Sequence, residues 1–462
     1  MVAEINTKNK SKQKLLLQTP KGTKDAGPRE IAMKQEMIDK FCRIFQLHGA
    51  VRIETPTFEL RQILCNKYGE ESRLIYNLED DDTSQQLSLR YDLTVPFSRY
   101  LCQNGIRTMR KYTYGKSYRR DNPSIASGRL REFYQCDFDI AGTSYPLVTE
   151  AECLFIVVSC LESIDLQKFT IIINDRNFLF AILKACKIPD EALNGVCASV
   201  DKLDKITREE FEKEMQEVRG IDIESCKTIL SIFDYEYSVS NIEKLAENLE
   251  YTFGSLNDVM RDCIDNFSTL LDYCKAYGIS ERIRVSPKLA RGLDYYTGLI
   301  FEVMPDKTYE VTCGSIAAGG RYDNLTKDML PSMQTPCIGF SMGIERIYAI
   351  LNSIRGESKT SPTQVLVCIA SLDLEPKKCR ELLITTQVKL LKANISCEIS
   401  MKKRILDSFQ KCESDKIEYA LIFGQKEFED DCIIVRDIAT KEETKINKEK
   451  IVEYLNSKLS DL

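Results

Sequence analysis

Histidine is nearly absent from this chain and tryptophan is missing altogether: 462 residues hold one histidine and no tryptophan. That scarcity excludes whole reaction classes. Ser-His-Asp and Cys-His nucleophile systems, HExxH zinc sites and multi-histidine metal centres could be built only around His48. His48 precedes Gly49 at the expected end of a helix starting at Pro28, so it reads as a residue of the last turn and is assigned no chemistry. Cysteine is plentiful but wrongly spaced for zinc. None of the 18 forms a CxxC, and the closest two, Cys153 and Cys160, are seven apart within an apolar segment. They read as small buried hydrophobes of a reducing compartment. No two glycines flank a single residue, which removes every GxGxxG reading. Gly115-Lys116-Ser117 imitates the end of a P-loop, but Arg110 stands where that loop needs glycine. No run approaches the ~18 apolar residues of a membrane span. The longest, around Leu154 to Leu161, is broken by Ser159.

What is present is a globular composition, 43% hydrophobic and 29% charged, which excludes disordered and fibrous classes. A net charge of -6 means that any nucleic-acid surface must be local. One candidate is Arg107 to Arg131, where Arg107, Arg110, Lys111, Lys116, Arg119, Arg120, Arg129 and Arg131 interleave with Tyr112, Tyr114 and Tyr118. Composition alone leaves two readings open, an anion-binding surface and a solvated strand pair. Residues 1–18 carry Lys8, Lys10, Lys12 and Lys14 without an apolar core or an arginine, so a basic tail of a cytoplasmic protein is expected.

Apolar spacing predicts a helix from Pro28 to His48. From Met109 to Ile140 the period becomes two around a polar loop, Asp121 to Gly128, which predicts a long antiparallel hairpin. On its second strand Tyr134, Cys136, Phe138 and Ile140 share one face, so Gln135, Asp137 and Asp139 share the other. That polar row is either solvated or the floor of a pocket. Residues from about 186 to 286 read as a helical insertion with solvated charged faces. Strand signals resume at Leu299 to Met304, Tyr309 to Cys313 and the Gly319-Gly320 pair, followed by a glycine-led helix from Ile338 to Leu351. Beyond a linker, Gly356 to Pro362, strands and helices alternate as in a separate α/β domain.

If a polyphosphate binds without a glycine loop, arginine forks must hold it. Arg119, Arg129, Arg131, Arg291 and Arg346 are the candidates, near strand ends and glycines.

Tyr118-Arg119-Arg120-Asp121 followed by Gly128-Arg129-Leu130-Arg131-Glu132-Phe133 is similar to motif 2 of class II aminoacyl-tRNA synthetases. Gly339 to Arg346 resembles motif 3, and Val51 to Glu59 around Pro56 resembles motif 1, the family's dimer-interface element. Leu289-Ala290-Arg291-Gly292-Leu293-Asp294-Tyr295-Tyr296-Thr297-Gly298 and Ala317-Ala318-Gly319-Gly320-Arg321-Tyr322-Asp323 resemble the two signature segments of histidyl-tRNA synthetases, and the segment from Arg119 to Gly142 most resembles the eukaryotic form. The likeness runs from Thr19 through Leu89-Arg90-Tyr91-Asp92-Leu93-Thr94 to the C-terminal domain.

The resemblance implies an α+β class II catalytic domain on a mainly antiparallel sheet at 19–360, containing the helical insertion, and a C-terminal α/β anticodon-binding domain at 361–462. It implies ATP with Mg2+, histidine and histidine tRNA as substrates, and a homodimer. The amino-acid carboxylate would attack the α-phosphate, and the acyl group would pass to the terminal ribose of tRNA. Arg119 would contact the α-phosphate and Arg346 the γ-phosphate, with the segment of Arg129 and Arg131 closing over ATP. Arg291 would be the catalytic arginine that neutralises charge on the α-phosphate and the substrate carboxylate. Asp139 and Tyr296 match the groups that read the imidazole. Asp92 and Gln135 match those that hold the amino and carboxylate ends, with Leu93, Thr94 and Tyr295 lining the site. Asn324 departs from the family, which commonly has glycine there. Two rivals remain at this stage: a synthetase-like regulator that has lost activity, and a generic RNA-binding module.

Overall fold

The computed structural model describes residues 17–65, 67–79, 85–203, 206–355, 362–371, 376–402 and 404–459. Almost all of the expected basic tail and linker lies outside them. The chain divides into two compact units, one of Met1–Asp25 with Lys34–Ile354, the other of Ala26–Met33 with Arg355–Leu462.

Strands β1 (Val51–Arg52), β2 (Phe58–Leu60), β3 (Leu87–Leu89), β4 (Met109–Tyr118), β5 (Glu132–Ala141), β6 (Phe169–Asp175), β7 (Ile283–Val285), β8 (Leu299–Pro305), β9 (Ala317–Arg321) and β10 (Cys337–Gly343) belong to the first unit. Eight of them form one sheet in the order β1-β4-β5-β10-β9-β8-β6-β7, and β2 pairs with β3 separately. Only the edge pairs β1–β4 and β6–β7 are parallel; the interior is antiparallel. The expected hairpin is β4–β5, in register from Met109–Ala141 to Tyr118–Glu132. Its apolar face packs Phe138 with Phe45, from the helix Pro28–Leu47, and with Phe340. The helix Val148–Ser163 buries Cys153, Leu154, Val157 and Leu161. Burial with no disulfide is the condition of most of the cysteines, as their apolar settings predict.

Two expectations change, and the strand signal at Gly319-Gly320 holds. Ile338 to Gly343 is strand β10, and the helix begins only at Ile344 and runs to Ile354. Alternation explains it: Ile338, Phe340 and Met342 are buried in the core, while Gly339 and Ser341 pair across to Asp139 and Asp137. Tyr309 to Cys313 forms bends and irregular chain after a turn in which Thr308 N donates to Asp306 Oδ1 and Tyr309 N to the Asp306 carbonyl. Gly319 and Gly320 lie inside β9, where a Cβ on Gly319 would stand 2.3 Å from Gly339 O. The helical insertion spans the helices from Leu193–Val200 to Asp258–Ala276, and β7 at its end returns to the main sheet.

In the second unit β11 (Val365–Ser371), β12 (Cys397–Ile399), β13 (Tyr419–Gly424), β14 (Cys432–Asp437) and β15 (Glu443–Asn447) form a sheet ordered β12-β11-β13-β14-β15. Val365, Val367, Leu421 and Phe423 pack with Leu390, Ile451 and Leu455 on one face. Leu366, Cys368, Ala420 and Ile422 pack with Cys412 on the other. Near-continuous apolar strands follow from covering both faces. Strand β15, largely polar and exposed, gave no apolar signal.

His48 is pinned as a structural residue. Its Nδ1 lies 2.9 Å from Glu152 Oε1, and Arg110 donates to both Glu152 oxygens, at 2.6 and 3.0 Å, and to the His48 carbonyl at 3.2 Å. The triad ties the end of the first helix to β4 and to the helix Val148–Ser163. Glu152→Ala is expected to cost about 1–2 kcal/mol in urea unfolding, the range of a half-exposed charge-assisted pair, whereas His48→Gln should cost less.

Candidate active site

The polar face of β5 is a buried floor. Its rows run across the sheet as Lys111, Asp139, Gly339 and Gly320, then Thr113, Asp137, Ser341, Ala318 and Glu302, then Gly115, Gln135 and Gly343. Asp137 and Asp139 are each 1% exposed, which excludes the solvated alternative. The floor needs glycines: a Cβ on Gly339 would stand 2.0 Å from Asp139 Oδ1, and one on Gly320 2.8 Å from the Tyr296 ring.

Asp139 is held by two partners. Tyr322 donates to its Oδ1 at 2.5 Å, and Lys111 Nζ, fully buried, lies 2.7 Å from its Oδ2. Lys111 belongs to the basic hairpin and carries no expected site role; the register of β4 sets it opposite Asp139, whereas counting back from the ends of the loop Asp121 to Gly128 points to Phe138, so local pattern does not reveal it. Asp137 sits between Gln135 and Asp139, and neither of its oxygens has a donor in hydrogen-bonding geometry among the described residues. Burial pushes its pKa up to about 7. Gln135 Nε2 donates to Ser341 Oγ at 2.6 Å, which leaves its buried Oε1 without a donor.

Asp92 lies just before the helix Thr94–Asn104 and accepts from Thr94 N at 3.1 Å and Val95 N at 3.0 Å through one oxygen. The same Oδ1 accepts from Tyr68 at 3.0 Å. Burial raises its pKa, and these donors oppose the rise. Leu93 is buried and Thr94 opens the helix. Tyr68, Tyr91, Tyr295, Tyr296 and Tyr322 form an aromatic wall, with ring centroids 4.4 Å apart for Tyr68–Tyr91 and 4.6 Å for Tyr295–Tyr296. It is Tyr322 whose hydroxyl holds Asp139, while Tyr296 is hydrogen-bonded to Tyr295.

The arginines sit in two kinds of setting. Arg119 stacks 4.1 Å from the Tyr91 ring centroid and donates to Tyr91 O at 3.1 Å. Burial works against its charge, but Tyr91, Glu71 and Asp92 outweigh it and hold the pKa above the usual value. Arg291 donates through Nε to Asp201 at 2.9 Å, and its Nη1 lies 2.7 Å from Glu302 Oε1. Neither carboxylate was foreseen, since one comes from the helical insertion and the other from β8. Arg346 donates to Ser315 O at 2.5 Å, and Arg291 reaches the Ser315 hydroxyl at 3.4 Å, so one serine joins the two arginines. Burial lowers the pKa of Arg346, and Arg291, Arg129 and Arg119 lower it further. A partly buried guanidinium facing three others is a receptor for a polyanion.

Arg129 and Arg131 behave differently. Arg129 pairs with Asp121 at 2.6 Å across the hairpin loop, and Arg131 donates to the carbonyls of Asp121 and Lys21, at 3.0 and 3.5 Å. Arg321 is committed to Glu150, at 2.6 Å, and to Asp323 and Thr149. Asn324 has φ -99°, which needs no glycine. Among the described residues no group of three or more His, Cys, Asp or Glu side chains could hold a metal ion, and no helix is long and apolar enough to cross a membrane.

Comparison with known proteins gives the family. The family model for histidyl-tRNA synthetase matches residues 22–347, and that for an anticodon binding domain matches residues 364–458. The histidine-tRNA ligase of Danio rerio is 37% identical over 98% of this chain and 91% of that protein, and the cytoplasmic one of Dictyostelium discoideum 38% identical over 98% and 94%. A mitochondrial histidine-tRNA ligase of Bos taurus is 35% identical over 98% and 90%. The crystal structure of histidyl-tRNA synthetase from Nostoc sp. PCC 7120 shares the fold, with a TM-score of 0.76 over 96% of this chain and 100% of that one at 23% identity. With the model covering most of its length and relatives this similar from end to end, the chain belongs to the histidyl-tRNA synthetase family.

Proposed function

We propose that the chain is a histidine-tRNA ligase: it joins histidine to ATP as histidyl-adenylate, releasing pyrophosphate, and passes histidine to the terminal ribose of its tRNA. The observation that carries this reading is the adjacency of a buried acid-and-tyrosine pocket to the guanidiniums Arg119, Arg291 and Arg346. The histidine carboxylate attacks the α-phosphate in line, so the protein needs no nucleophile of its own; it supplies position and positive charge. Arg119 and Arg291 neutralise charge where the two anions meet, and Arg346 takes the γ-phosphate. Asp139, with Tyr296, reads the imidazole, and Asp92 and Gln135 hold the other end, with Leu93, Thr94 and Tyr295 beside them.

The loop of Arg129 and Arg131 closes over ATP by exchanging the Asp121 pair for phosphate. Mg2+ would arrive with ATP as part of the substrate and neutralise part of its phosphate charge. The unit from Arg355 onward binds the anticodon, the protein acts in the cytoplasm, and two chains pair through the segment from Val51 to Glu59, whose Val51 and Phe58 are exposed. A regulator without activity would have no use for the complete arginine set, and an RNA-binding module none for the buried acids.

Purified protein should catalyse ATP-pyrophosphate exchange with histidine and with no other amino acid; a folded protein that exchanges with none would overturn the reading. Arg291→Ala should lower that exchange by about 10²- to 10³-fold, the usual loss on removing a group that stabilises developing charge, with tRNA binding retained. Lys111→Met should cost about 3–5 kcal/mol in urea unfolding by stranding Asp139. Adding Asp139→Leu should recover most of that stability while activation of histidine stays lost.

A further inference from the structure

Three buried carboxylates, Asp92, Asp137 and Asp139, lie at the acid-and-tyrosine end of the pocket, and the protein supplies least to Asp137. Asp139 has Lys111 and Tyr322, and Asp92 has Tyr68 and two helix N–H groups. Asp137, equally buried, has only the Ser341 hydroxyl beside it, and neither of its oxygens meets a donor in hydrogen-bonding geometry among the described residues. A carboxylate in that state costs several kcal/mol unless it is protonated or a ligand supplies a cation. Beside it the Gln135 Oε1 is a second buried acceptor without a donor. Orphaned acceptors side by side on one strand face, with a free carboxylate among them, are complementary to an ammonium group. Resting on the ligase reading, we propose that Asp137 is a further substrate-binding residue, accepting a hydrogen bond from the α-ammonium of histidine alongside Gln135 and Asp92.

The charged groups around Asp137 fit this assignment. Lys111 from β4 is committed to Asp139, Ser341 from β10 receives Gln135, and Arg90 donates to the carbonyls of Lys116 and Thr55. Asp139 and Asp92 add negative charge, so the cation nearest in effect, Lys111, is outweighed by burial. With a pKa of about 7, Asp137 is largely protonated below neutrality. Placing an ammonium beside it favours the carboxylate, so the proton leaves to solvent as histidine enters.

The test compares histidine with 3-(imidazol-4-yl)propionate, which lacks only the amino group, by calorimetric titration of the full-length protein. Asp137→Asn should weaken histidine about 10- to 100-fold, the range of a charge-assisted hydrogen bond, and the amino-free ligand less than about 3-fold. Equal weakening of both ligands, or no change in either, overturns the proposal. Wild-type protein needs no variant to be informative. In two buffers of different ionisation enthalpy at pH 6.5, histidine should release more protons than the amino-free ligand once the imidazolium proton that each free ligand carries at that pH is subtracted, and equal corrected release again counts against Asp137. A wild-type protein that binds no histidine removes the ligase reading together with this one, whereas normal wild-type binding with unchanged discrimination in the variant removes this one alone.

Discussion

Everything around the site depends on keeping negative charge dry on the face of one central strand. Asp137 and Asp139 are almost completely buried in the middle of an eight-stranded sheet, where a lone carboxylate is costly. The surrounding sequence is organised by that cost. Lys111 lies directly opposite Asp139 in the register of β4, Tyr322 follows β9 at the height from which its hydroxyl reaches the same carboxylate, and Gly339 is bare because a methyl group would displace it. Such a pair adds little net stability, but losing one partner is expensive, so the arrangement fixes geometry more than it stabilises the fold.

The phosphate side follows the opposite logic. Arg291 is compensated by Asp201 and Glu302, whereas Arg346 has a backbone carbonyl and a serine between itself and another arginine. Burial and neighbouring cations both press on Arg346, so in the proposed role an incoming triphosphate would relieve repulsion there and compete with existing ion pairs at Arg291. On that reading affinity for the anion would concentrate at Arg346. At Arg291 the two acids hold a charged fork in place, which would leave little reorganisation when charge develops on the α-phosphate.

Much of this was legible in the sequence. The period-two run ending at Ile140 and the loop from Asp121 to Gly128 gave the hairpin, and alternation alone put Gln135, Asp137 and Asp139 on one face. Local pattern failed where the structure is set by distant partners. Ile338 to Gly343 reads as the start of a helix because its glycines are invisible to periodicity; it is a strand because Gly339 and Ser341 must lie flat beneath Asp139 and Asp137. Asp201 and Glu302 meet Arg291 from segments about 90 residues before and 11 after it, which no spacing rule anticipates. Arg129 and Arg131 were recognisable as arginines near a strand end, yet their present partners, Asp121 and the Lys21 carbonyl, depend on how the loop and the N-terminal segment fold together.

Selectivity follows from the same buried charges. Asp139 has one oxygen taken by Tyr322 and the other beside Lys111, so it cannot swing to meet a side chain of another shape. An imidazole N–H in the right place completes its hydrogen bonding; an apolar side chain of similar size would leave the carboxylate dry and short of a donor. Discrimination built on an unpaired buried polar group reaches about 10⁴-fold or more, beyond what a methylene-sized difference in fit supplies. A pocket of this kind needs no second site to remove errors, and the rigidity of its floor, set by glycines and a buried lysine, is what makes that discrimination possible.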